Sequence, residues 1–84
     1  MKREAVEAVV RRHLMEVVPE TRELRIDMDQ SMKDLGANSL DVVEVVSCAM
    51  RELKVKVPRS ELSKLTNMNG LVDLLHSAAN HHQA

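Results

Sequence analysis

Eighty-four residues carrying twelve Lys and Arg against thirteen Asp and Glu have a formal charge of −1, so the chain lacks the basic excess that a nucleic-acid binder presents. A chain of this length is expected to form one domain that buries only about 60–65% of its unfolded surface, which leaves little depth for a water-excluding active site. With no Phe, Tyr or Trp, one cysteine (Cys48) and no apolar run near the roughly 18 residues that span a bilayer, there is no ring to stack on a base, no internal disulfide and no membrane helix.

The spacing predicts a first amphipathic helix from about Arg3 to Val18. Val6, Val9, Val10, His13, Leu14 and Val17 fall on one helical face, and Pro19 ends it by pushing the preceding residue out of the helical region. His13 reads as a packed, hydrogen-bonded residue on that stripe. Lys2, Arg3, Arg11 and Arg12 alternate with Glu4 and Glu7 and read as a solvated face. Those glutamates also interrupt what could pass for a signal peptide, and a cytoplasmic location is expected.

Between Pro19 and Asn38 the periodicity breaks down. A connection this long is usually functional or locally ordered. Leu24, Ile26, Met28 and Leu35 are the expected anchors into the core. Ser31 to Leu35 can form one short turn, closed by Gly36 in a left-handed conformation.

A second helix is expected from Ser39 to Leu53 or Lys54. At roughly 100° per residue, Val42, Val43, Val45, Val46, Ala49, Met50 and Leu53 span an apolar arc of about 160°. Leu40 falls outside it, with Glu44, Ser47 and Arg51, and with Met50 and Val43 at the rim it marks a face that meets a partner. Cys48 reads as a spare thiol. Val55, Val57 and Pro58 mark a loop, and Ser60, Glu61, Leu62 and Leu65 one or two helical turns. Asn67 is the expected N-cap of a last helix, with Met68, Leu71, Val72 and Leu75 on its inner face. Gly70 weakens that helix slightly. The ordered core is expected over about residues 3–79 of a single domain spanning 1–84, with 80–84 as a frayed tail.

Catalytic constellations are poorly represented. The histidines at 13, 76, 81 and 82 are not placed beside a serine, no glycine-rich phosphate loop is present, and no metal site is expected. A non-catalytic role follows. The informative stretch is Asp34-Leu35-Gly36-Ala37-Asn38-Ser39-Leu40-Asp41. Read locally, Asn38 or Ser39 caps the second helix and Asp41 complements its positive end. A helix N-terminus is also where a phosphate is best tolerated.

D-L-G-A-N-S-L-D followed by V-V-E-V-V resembles the modification signature of acyl carrier proteins, D-x-G-x-D-S-L-D with an apolar helix behind it. V-x-V-P-x-x-E-L is similar to that family's I-x-I-P-x-x-E segment, and L-T-N-M-N-G-L-V-D-L-L to its closing helix. The resemblance implies an all-α four-helix bundle, with three long helices, one short helix and a long first loop. It implies a monomeric carrier of acyl thioesters, with Ser39 taking 4′-phosphopantetheine from coenzyme A through a phosphopantetheinyl transferase. Leu40, Asp41, Glu44, Ser47, Met50 and Arg51 would lie on or beside the docking face, and Val57 and Leu62 would border a cleft for the acyl chain. Asn38 departs from the usual aspartate, and Met50 and Arg51 replace the glutamates typical of fatty-acid carriers. Because charge complementarity chooses partners, those departures point to a polyketide-type pathway and to a ketosynthase, an acyltransferase or a related condensing or branching enzyme. A carrier of amino acids (peptidyl or D-alanyl) is the alternative, although Asn-Ser-Leu-Asp departs from the Gly-His-Ser pattern of peptidyl carriers. A different class is a helical interaction module that is never modified.

Overall fold

The computed structural model describes residues 2–63, 65 and 67–81, without the side chains of residues 59 and 81. Its elements are α1 (Arg3–Val17), a 3₁₀ turn (Pro19–Glu23), α2 (Ser39–Leu53), α3 (Arg59–Leu62) and α4 (Met68–His81). No strand occurs among the described residues.

Helix α1 packs against both α2 and α4. Val6, Val10 and Leu14, spaced four residues apart, are fully buried, while Val9 and Val17 flank them half-buried. They meet Val45, Val46, Ala49 and Leu53 of α2 and Met68, Leu71, Val72 and Leu75 of α4 in one cluster. Each such fully buried Val, Leu or Met contributes about 1.5–3 kcal/mol of transfer free energy. Val18 leaves the helical region before Pro19, as the proline requires.

The long connection is locally ordered, with a 3₁₀ turn and several core anchors. Pro19 opens the 3₁₀ turn, and Thr21 is buried with its hydroxyl donating to the Val18 carbonyl (2.7 Å). Leu35 is buried as expected, Ile26 and Met28 pack at the edge, and Met32 and Ala37 join the core unforeseen. Leu24 does not anchor: it is 47% exposed, because the turn ends there and its extended backbone carries the side chain outward. Further on, the Met28 and Gln30 carbonyls accept from the backbone N–H groups of Asn69 (2.8 Å) and Met68 (2.9 Å), strapping the loop to the start of α4. Arg3 reinforces this corner by donating to Asp73 and Asn69, and Asn69 donates in turn to Asp29.

Two further expectations shift. Val43 is 55% exposed rather than part of the apolar arc, since the buried side of α2 centres on Val45, Ala49 and Leu53 and leaves Val43 beyond its rim. Helix α4 continues through Asn80 to His81, so the tail boundary expected at 80 lies within a helix; Asn80 donates to the His76 carbonyl (3.0 Å). Residues 82–84 lie outside the described residues. Gly70 has a packing reason: a Cβ there would meet the capping Asn67 side chain at 3.2 Å and Leu65 at 3.3 Å.

Candidate functional site at the start of α2

The turn before α2 is built by residues 31–37. The Ser31 hydroxyl accepts from the Asp34 N–H (3.1 Å), and the Asp34 carboxylate accepts from the Ser31 N–H (3.2 Å). Gly36 has φ +105°, a conformation that disfavours any residue with a Cβ. Its reversal buries Leu35 and Ala37 on either side and delivers Asn38 to the helix start.

Asn38, not Ser39, is the cap. Its side-chain oxygen accepts from the Asp41 N–H (2.8 Å), while the Asp41 carboxylate accepts from the Asn38 N–H (3.1 Å), a closed capping box. Both Asn38 and Asp41 are therefore occupied with each other. Ser39 is exposed, and among the described residues its hydroxyl has no hydrogen-bond partner. The backbone N–H groups of Ser39 and Leu40 are likewise unpaired and sit at the positive end of the helix. The other Asn-capped helix differs: at α4 the loop carbonyls take the Met68 and Asn69 N–H groups and Asn67 takes that of Gly70 (2.8 Å). A phosphodiester on Ser39 thus fits the residues present, with two free donors beside it and nothing covering the hydroxyl.

Leu40 is 80% exposed. Helical geometry puts Leu40, Val43, Glu44, Ser47, Met50 and Arg51 along one outward side of α2, and Leu40, Val43, Glu44 and Arg51 are exposed. Asp41 lies off that side, held in the capping box. Leu62 lines a cavity of about 210 Å³ between the 31–33 turn, α2 and the start of α4; Val42, Val46, Met68 and Leu71 form its apolar walls, and Lys33 and Asn67 belong to its polar part. Val42 is about one turn from Ser39, about 4.5 Å along the axis, so one wall of the cavity lies near the serine, which does not itself line it. Val57 does not line it; the side chain is half-buried against the core. Val43 belongs to the outward side, whereas the sequence pattern placed it both in the apolar arc and at the rim of the partner face. Only the exact phase of the helix, fixed by its packing on α1, separates the two placements.

His13 is 15% exposed and donates through Nε2 to Glu52 (2.8 Å), with Arg12 donating to the same carboxylate oxygen. The hydrogen bond from Arg12, then that from His13, holds the Glu52 carboxyl below its usual range. This bridge ties α1 to α2 away from Ser39. Among the described residues no group of three or more His, Cys, Asp or Glu could hold a metal ion. Among the described residues no helix is long and apolar enough to cross a membrane.

The model of the phosphopantetheine attachment site family matches residues 8–75. The polyketide biosynthesis acyl-carrier-protein AcpK of Bacillus subtilis (strain 168) is 30% identical over 90% of this chain and 93% of its own. An acyl carrier protein of Campylobacter fetus subsp. fetus (strain 82-40) is 41% identical over 52% of this chain and 57% of its own. In a solved structure of the curacin biosynthetic pathway HMG synthase in complex with acetyl donor-ACP, one chain superposes with a TM-score of 0.83 at 28% identity, over 92% of this chain and 99% of that one. The chain belongs to the acyl carrier protein family, non-catalytic carriers whose prosthetic group is 4′-phosphopantetheine.

Proposed function

We propose that Ser39 is the attachment point, and that the protein carries acyl intermediates to the enzymes of a polyketide-type pathway. One observation carries this most of the way: Asn38 performs the capping, so the Ser39 hydroxyl has no structural task and stands exposed beside two unpaired N–H donors. The arm, once attached, supplies a thiol that holds the cargo as a thioester. The Ser39 and Leu40 N–H groups would hold the phosphodiester oxygens, while the Asp41 charge stays engaged at the Asn38 N–H.

A phosphopantetheinyl transferase acting on coenzyme A is the enzyme that loads Ser39. The side of α2 bearing Leu40, Glu44, Ser47, Met50 and Arg51 then meets ketosynthases, acyltransferases or branching enzymes. The AcpK relative and the carrier bound to an HMG synthase support that choice of partner. The cavity walled by Val42, Val46 and Leu62 is the shelter for a short acyl group. The test is intact mass after incubation with coenzyme A and a broad-specificity transferase. One phosphopantetheinyl addition is expected on the wild type and none on Ser39→Ala; an addition that survives the substitution overturns the assignment.

A further inference from the structure

The end of α2 gathers charge in a way that the attachment site does not require. Met50–Lys56 reads M-R-E-L-K-V-K, three cations and one acid. Lys54 has φ +58°, and the Lys54 and Val55 N–H groups donate to the Arg51 (3.3 Å) and Met50 (3.0 Å) carbonyls. This closure reverses the chain and lays Val55 over Met50. As a result Met50, Arg51, Lys54, Val55 and Lys56 line one shallow hollow. Its floor is apolar, with Val55 buried and Met50 half-buried, and its three cations are all exposed.

The single acid of the stretch faces elsewhere: Glu52 is engaged by Arg12 and His13 of α1. Among the described residues, Arg51, Lys54 and Lys56 make no ion pair and no side-chain hydrogen bond. Compensation of the helix dipole explains a cation in the last turn. It does not explain Lys56, which lies past the helix, nor Lys54 at a left-handed position better suited to glycine or asparagine. Phosphate chains are a poor match, since the floor is apolar and the hollow offers no aromatic ring for bases.

We propose that this hollow docks an acidic, leucine-bearing helical segment of the enzyme that uses the cargo. The proposal rests on the carrier function, because it extends the same outward side of α2 from Leu40 and Glu44. That side then runs from acidic at Glu44 to basic at Arg51, Lys54 and Lys56, and the polarity fixes one orientation for the partner.

The test titrates isotope-labelled whole protein with a short synthetic amphipathic helix carrying Glu on one face and Leu on the other, followed by backbone amide shifts. Controls replace Glu by Lys, replace Leu by Ser, or use an oligothymidylate. The Glu/Leu peptide is expected to move the amides of residues 50–56. Affinity should fall about tenfold in Arg51→Gln/Lys54→Asn/Lys56→Gln and again between about 0.05 and 0.5 M salt. That variant keeps the left-handed turn, because Asn tolerates it. Shifts centred on α1, binding that survives the triple substitution, or equal binding of oligothymidylate at the same amides overturns the proposal. All titrations use both unmodified and arm-bearing protein. A failure to attach the arm counts against the carrier function alone, and the surface is still read.

Discussion

Asparagine and serine are adjacent at the start of α2 and either can cap a helix. The chain divides the work between them: Asn38 closes the capping box and the Ser39 hydroxyl is left without a capping role. Their substitutions should separate cleanly in denaturant titrations. Asn38→Ala is expected to lose about 1 kcal/mol, whereas Ser39→Ala should stay within about 0.5 kcal/mol of wild type. The reverse order would return the cap to Ser39. An aspartate at position 38 would satisfy the same Asp41 N–H while adding a negative charge beside the proposed phosphodiester. The neutral Asn38 keeps the capping bond and leaves that repulsion out.

Among the elements, α2 carries both the core and the proposed recognition side, and about 60° of rotation around the axis separates Val46 on one from Val43 on the other. Val46 is buried and Val43 is exposed. Val46→Ala should therefore cost about 1–3 kcal/mol, and Val43→Ala less than about 0.5 kcal/mol; equal losses by thermal or chemical unfolding would contradict this phase of the helix. On the outward side, Leu40→Ala is expected to slow transfer to the cognate enzyme more than Glu44→Ala does, because an apolar anchor outweighs a rim charge. Transfer kinetics of arm-bearing variants decide this, and a larger defect from Glu44→Ala would show docking governed by charge. The periodic elements were legible in the sequence because their spacing is dictated by burial on one face: α1, α2 and the inner residues of α4 lie where the pattern puts them. The candidate site at Ser39 was singled out through its neighbours rather than through itself. The connection was not, since Thr21, Met32 and Ala37 are buried by the path of an irregular backbone that has no period to read. Val57 was misplaced for a related reason: its position relative to the cavity depends on how α3 and the loop before it settle on α2.

At the scale of the whole molecule, α1 is fastened to its neighbours at two corners, Arg3 to Asp73 and Asn69 at one end and Glu52 to Arg12 and His13 at the other. The second fastening depends on pH. The folded Glu52 carboxyl titrates below its ordinary value of 4.5, so its contribution is complete above that value and is lost as pH falls through the lower, folded one. Unfolding midpoints of wild type and Glu52→Gln should therefore differ at pH values above the ordinary carboxylate value of 4.5 and converge as pH falls below it. A gap that does not narrow on acidification would remove Glu52 from the bridge.

The strap from Met28 to Gln30 has a mechanical consequence for what the fold can hold. One wall of the cavity is α2, a rigid rod of continuous hydrogen bonds; the facing wall, Ser31 to Lys33, hangs from two backbone bonds to Met68 and Asn69. Under the proposed function, cargo that outgrows the cavity would press on the tied wall before it bends the helix that bears Ser39, and each tie given up would cost about 1 kcal/mol. The size of the cargo would then be read in the seam between the loop and α4, not in α2.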